Sequence, residues 1–184
     1  LEIESDHLPS FDDLSLVHDR EHIERVVLEG RCGEWSGTRT DLGHLALRMA
    51  GGTQLAVDAL RRGDALTAVH FAGAKHHAQQ GWSSGFCVFA DFAMAARRLA
   101  AQGKRVAILD VDAHHGDGTQ NLTKFDDNVL THSIHDRTIF PGTGDIDDPD
   151  FHVYNSPLER GAGDAELLDE VTLFCGLIDR FMPD

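Results

Sequence analysis

The chain has 184 residues, enough for one domain with a sizeable core. Its 41% hydrophobic content favours a folded protein over a disordered one, and no apolar run is long enough to span a bilayer. The formal charge of -15, from 31 acidic and 16 basic side chains, argues against direct nucleic-acid binding through a broad basic surface.

The opening LEIESDHLPS is acidic and lacks the charged-then-apolar order of a signal peptide. It also lacks an initiator methionine, so the sequence reads as one that begins inside a longer gene product. The segment Phe11 to Leu28 is expected to contain a helix, with Ile23, Val26 and Val27 on one face. Residues 30–43, rich in glycine and polar groups, predict a loop. Apolar residues recur at helical spacing from Leu45 to Leu60, and Arg61, Arg62 and Gly63 suit the end of that helix. Ala65 to Phe71 predicts a short buried strand, followed by a loop from Ala72 to Gly85. Val88 to Gln102 predicts a helix stopped by Gly103. Arg105 to Asp112 and Asn128 to His135 predict two further buried strands. Asp136 to Phe151 predicts a loop, broken by Pro141, Gly142, Gly144 and Pro149. A last helix is predicted from Asp164 to Phe181, with Leu167, Leu168, Val171 and Phe174 as its apolar face. Apolar strands alternating with helices imply an α/β fold with a parallel sheet, whose site lies beyond the carboxyl ends of the strands.

The stretch LDVDAHHGDGTQ, from Leu109 to Gln120, carries the densest chemistry. Asp110, Asp112 and His114 alternate, so on an extended backbone they leave one face. Carboxylate oxygen and imidazole nitrogen both suit zinc, although an acidic solvated turn would look similar. His115 has the opposite parity and reads as structural. The adjacent His76 and His77 suit a general acid/base pair, and a surface pair is the bland alternative. Asp110 and Asp117 are available as carboxylates to orient such histidines. Phe86 and Phe140 can wall a narrow apolar channel or simply pack in a core and a glycine turn. Gly142-Thr143-Gly144 lacks the lysine and spacing of a phosphate-binding loop. Cys32, Cys87 and Cys175 form no CxxC pair, which fits reduced thiols in a cytoplasmic protein, with Cys87 a buried small residue.

Taken together, AGAKHHAQQGWSSGFCVF, VAILDVDAHHGDGTQ and HSIHDRTIFPGTGD resemble the histone deacetylase superfamily, in its bacterial acetoin-utilisation and acetylpolyamine amidohydrolase branch. VHDREHIERV, from Val17 to Val26, is similar to an early helix of that family. The resemblance implies an arginase-like three-layer α/β/α fold with a parallel sheet, as one partial domain over 1–184, incomplete at both ends. It implies Asp112 and His114 as two zinc ligands and His76 and His77 as catalytic histidines. Asp110 then partners His76, and Asp117 partners His77. Phe86 and Phe140 line an acyl-lysine channel. Asp110, Asp112, His114 and Ser133 fall where the family places a structural potassium ion.

The implied reaction is hydrolysis of an acetylated amine, either a protein lysine or a small polyamine. The resemblance also implies a third zinc ligand and an oxyanion-stabilising tyrosine in later segments, which the sequence up to Asp184 does not contain. Tyr154 lies in a different context. A non-catalytic remnant of the fold and an arginase-like manganese ureohydrolase are the alternative readings. Open sheet edges lead us to expect self-association, so a homo-oligomer stands among the expected partners.

Overall fold

A computed structural model describes residues 8–184, so most of the acidic opening lies outside the described residues. The chain divides into two compact units, Leu1–Arg98 and Leu99–Asp184.

The first unit is helical. Helix α1 (Phe11–Leu14) starts with a reciprocal cap, in which Ser10 Oγ accepts the Asp13 N–H and Asp13 Oδ2 accepts the Ser10 N–H. Helix α2 (Arg20–Val27) follows after a break. The helix expected within Phe11 to Leu28 is α2, which carries Ile23, Val26 and Val27; α1 stays separate from it, and between them the Asp19 N–H finds a tertiary partner, donating to Gln80 O at 2.9 Å. Helix α3 (Thr40–Arg62) begins five residues before the expected Leu45 and ends at Gly63, with φ +74. Its early turn includes Gly43, where a Cβ would strike the Val26 carbonyl of α2, so glycine permits the close helix approach.

The strand expected over Ala65–Phe71 is absent. These residues carry no strand hydrogen bonds, Leu66 and Phe71 are fully exposed, and Val69 is largely exposed. A strand needs a neighbour to complete its ladder, and no described strand pairs with this apolar run. Helix α4 (Asp91–Ala100) is shorter at both ends than expected and carries the chain into the second unit.

The second unit is a three-stranded parallel sheet, ordered β1-β2-β3, with helices. Strand β1 (Val106–Asp110) pairs with β2 (Val129–Asp136), and β2 pairs with β3 (Val153–Leu158). Helix α5 (Asp117–Thr123) lies between β1 and β2 in sequence, the crossover that parallel pairing requires. Neither α5 nor β3 was expected from the sequence. The central strand β2 is buried almost throughout, whereas β3 is an edge that tolerates Pro157, which has no N–H to donate.

Helix α6 (Asp164–Phe181) matches its expected limits. It buries Leu177 and Phe181 against Leu130 of β2, with Ala107, Tyr154 and Phe174 packed around them. Leu168, expected on the apolar face, is 62% exposed: the face turns through Leu167, Val171, Phe174, Leu177 and Phe181 instead. Among the described residues no helix is long and apolar enough to cross a membrane.

Candidate active site

In the second unit the chain leaves β1 through two successive Asx turns. Asp110 Oδ1 accepts the Asp112 N–H at 3.1 Å, and Asp112 Oδ1 accepts the His114 N–H at 2.8 Å. The second turn also brings His114 Nδ1 to 2.9 Å from Asp112 Oδ1. The strand itself ends at Asp110, so turn chemistry rather than strand alternation joins Asp112 to His114. Both side chains reach solvent, with Asp112 52% and His114 43% exposed. Ser133 on β2 stands in register with Asp110. Its Oγ accepts the Gly116 N–H, and the Asp136 N–H donates to Ala113 O, so β2 pins the loop at two points. Phe140 packs edge-on to His114, with ring centroids 6.2 Å apart, and is 49% exposed. Asp117 opens α5, and its N–H donates to His115 O.

His115 supports this loop from beneath. It is buried between Thr143 Oγ1, 2.8 Å from Nδ1, and Gln120 Oε1, 3.0 Å from Nε2. Gln120 Oε1 can only accept, so Nε2 carries the proton and Nδ1 accepts from the threonine hydroxyl. Burial holds the His115 pKa below the ordinary imidazole value, partly offset by Gln120 and by Asp117 and Asp110. The expectation that His115 is structural therefore agrees with its surroundings. Its ring lies 4.8 Å from that of His135, and a Cβ at Gly144, which has φ +85, would collide with both. The Gly142-Thr143-Gly144 segment thus serves as a close-packed turn over two imidazoles.

In the first unit His76 and His77 are both buried, with ring centroids 4.0 Å apart. A tight turn follows at Ser84–Cys87, closed by Ser84 N–H to Cys87 O and Cys87 N–H to Ser84 O. Its central residues, Gly85 and Phe86, both have positive φ, +53 and +63, as a type I′ turn requires. A Cβ at Gly85 would strike the His77 ring, so the glycine seats that imidazole. Phe86 lies at the tip, 89% exposed, with its N–H donated to Glu34 Oε2. A bulky residue held at positive φ and turned to solvent is costly, and such strain gathers at ligand-contacting sites. Core packing, the bland reading of Phe86, does not hold. Cys87 is buried, and burial pushes its thiol up to about 11, so it is no nucleophile at neutral pH.

Three residues that sequence reasoning passed over hold the histidine segment in place. Asp91 is fully buried at the start of α4. Its Oδ1 accepts the Lys75 N–H at 2.7 Å, and its Oδ2 accepts the Ala74 N–H at 3.0 Å together with the Thr53 hydroxyl. On the far side, buried His18 donates Nδ1–H to Gln79 O at 2.9 Å and accepts the Ala90 N–H at Nε2, also at 2.9 Å. That pattern fixes a neutral ring. Burial, assisted by neighbouring His22, lowers the His18 pKa to about 4. The local signals for this pair of clamps are a charged residue inside an apolar run (FADFAMAA) and a histidine before a helix start, both common in other settings; His18 also lies within VHDREHIERV, which marks the family resemblance but gives no role for the ring.

The donor chemistry of Asp112 and His114 suits zinc. Two donors 2.9 Å apart, each about 2.05 Å from a shared ion, subtend roughly 90°, so the pair must open slightly to reach tetrahedral coordination. Among the described residues no group of three His, Cys, Asp or Glu side chains converges as a metal site. The pair fits as part of a zinc centre, and the described residues do not bring a third such donor to it.

Comparison with known proteins shows what the chain as a whole is similar to. The family described as histone deacetylase domain matches residues 3–184. The chain is similar to the acetoin utilization protein AcuC of Staphylococcus aureus (strain MRSA252), 33% identical over 94% of this chain and 50% of that protein. It is 34% identical to AcuC of Bacillus subtilis (strain 168), over 91% of this chain and 49% of that one. It is also similar to histone deacetylase clr6 of Schizosaccharomyces pombe, 40% identical over 62% of this chain and 30% of the yeast protein. The chain spans about half the length of these AcuC relatives. Its fold matches the crystal structure of an acetylpolyamine aminohydrolase from Burkholderia pseudomallei with a TM-score of 0.80 and 25% identity, covering 95% of this chain and 64% of that one.

Proposed function

The chain belongs to the histone deacetylase family, and from that premise we propose that the protein hydrolyses N-acetyl amides of the acetyl-lysine or acetylpolyamine type with zinc as cofactor. The observation that carries this reading is the buried tandem of His76 and His77, seated by the glycine of a strained turn whose tip presents Phe86. Two adjacent imidazoles kept from bulk water suit proton transfer in both directions.

Asp112 and His114 would hold zinc together with a further donor. Bound there, zinc would supply Lewis acidity toward the acetyl carbonyl. His77 takes the proton of the attacking water, while His76 stabilises the developing charge. The water oxygen bonds to the acetyl carbon, the C–N bond breaks, and a histidine returns a proton to the departing amine nitrogen. Acetate and a free amine result. Asp110 and Asp117 orient the imidazoles, and Phe86 and Phe140 shape the acyl channel. A structural potassium ion at Asp110 and Ser133 is supported by their pairing across β1 and β2. The three free, well-separated cysteines support a cytoplasmic location.

The test uses the full-length protein, assayed for zinc content and for release of acetate from acetyl-lysine peptides and acetylated polyamines, with arginine and agmatine as controls. Zinc-dependent release, abolished in His77→Ala and in Asp112→Ala/His114→Ala, supports the proposal. Turnover of guanidino substrates alone would favour a ureohydrolase. Absence of any hydrolysis in the zinc-loaded protein would favour a non-catalytic member of the fold.

A further inference from the structure

We infer that Asp91 is a positioning residue for the His76–His77 pair, acting through the two peptide groups that precede it; this rests on the deacetylase reading of the two histidines. Asp91 makes no use of solvent: it is fully buried, and its carboxylate accepts from three donors on two other segments. Two of those donors are the backbone N–H groups of Ala74 and Lys75, immediately before His76. A buried carboxylate is retained only where such donors compensate its lost hydration.

The backbone it grips is itself unusual. Ala74 has φ +58, a left-handed conformation that a non-glycine residue keeps only when its surroundings over-determine it. The Ala74 N–H bond to Asp91 Oδ2 is such a constraint. Gly73 packs directly on the same carboxylate, since a Cβ there would lie 2.7 Å from Asp91 Oδ2, 2.8 Å from Thr53 Oγ1 and 3.0 Å from His70 Nδ1. Thr53 completes the arrangement. With its hydroxyl proton given to Asp91, its oxygen accepts from His70 Nδ1–H at 3.0 Å. The left-handed turn at Ala74 sets the direction in which the chain enters His76. Asp91 and Thr53 together fix that direction.

Asparagine at position 91 is nearly isosteric but cannot do the same work. Its single oxygen serves one side only. In either orientation its NH2 group faces a backbone N–H, of Lys75 or of Ala74, and neither can be turned away. The expected result for Asp91→Asn in the full-length protein is a roughly ten-fold or larger fall in kcat with KM within about two-fold, as small misplacement of reacting groups produces. The His76 and His77 imidazole signals in a 1H–13C spectrum should move with it. Asp58→Asn is the control: it breaks the Asp58–Arg98 pair in the first unit, lowers stability, and should leave the imidazole signals and kcat in place. If Asp91→Asn does not fold, Thr53→Val decides. The imidazole signals should move in Thr53→Val and stay in Thr53→Ser, which restores the hydroxyl. Folded Asp91→Asn with unchanged kcat and unchanged imidazole signals overturns the inference, as does a Thr53→Val spectrum identical to the wild type. If the wild-type protein turns over no acetyl amide, the deacetylase reading fails, while the imidazole signals still decide the role of Asp91.

Discussion

Acidification should unlock the first unit through His18. This ring is neutral in the folded protein because its Nε2 accepts the Ala90 N–H, and a proton there would face another donor. Burial and neighbouring His22 oppose the charge, while the Gln79 carbonyl and Asp19 favour it, with a net lowering from 6.5 to about 4. Since the folded pKa is depressed, the unfolded chain binds more protons between those two values. Stability is therefore fully present above pH 6.5 and is lost as pH falls toward 4. At about 1.4 kcal/mol for each tenfold change in proton affinity, the loss comes to about 3 kcal/mol. Urea denaturation of the wild type and of His18→Leu at steps from pH 7.5 to 4 measures it. The variant should start about 2 kcal/mol less stable, because Gln79 O and the Ala90 N–H lose their partner. Its curve should then fall less steeply than that of the wild type by about 3 kcal/mol over the window. The other histidines with lowered pKa outside this cluster, His115, His132 and His135, destabilise both proteins in the same direction and largely cancel in the difference, whereas His22, in ring contact with His18, belongs to the slope being measured. Parallel curves for the two proteins would refute the assignment of this slope to His18.

Other outcomes follow from particular contacts. Gly85→Ala puts a Cβ against the His77 ring at φ +53, and should cost about 1–2 kcal/mol in denaturation and lower turnover more than about ten-fold. Leu177→Ala, which empties part of the α6 packing on Leu130, should cost about 2–4 kcal/mol, whereas Leu168→Ala should stay within about 0.5 kcal/mol by the same measurement. Iodoacetamide at pH 8 should label exposed Cys175 on the order of 100-fold faster than Cys87, whose thiol is buried and pushed up to about 11. Mass spectrometry of a short labelling course reads the ratio.

Much of the fold was legible in local pattern. The limits of α6 follow from its helical spacing, and β1 and β2 follow from short runs rich in apolar and β-branched residues, VAIL and VLTHSI. The Asp110-Asp112-His114 cluster was legible for a similar reason. Its members are two residues apart, and short carboxylate side chains fold their own backbone into the turns that join them. His76 and His77 were visible simply as neighbours.

What stayed hidden depends on partners distant in the chain. Strand β3 reads as VYNSPL, polar and broken by proline, and becomes a strand only because β2 supplies the ladder. Ala65–Phe71 is the converse: its apolar residues ask for a strand, but a ladder needs two sides. Asp91 and the Thr53 that binds it are 38 residues apart, and His18 reaches Gln79 across 61. Periodicity and motif spacing act over a few residues, so they can mark which side chains carry the chemistry. Which buried groups hold those side chains still is decided when folding removes water from a carboxylate or an imidazole and leaves particular donors and acceptors, brought from distant segments, to replace it.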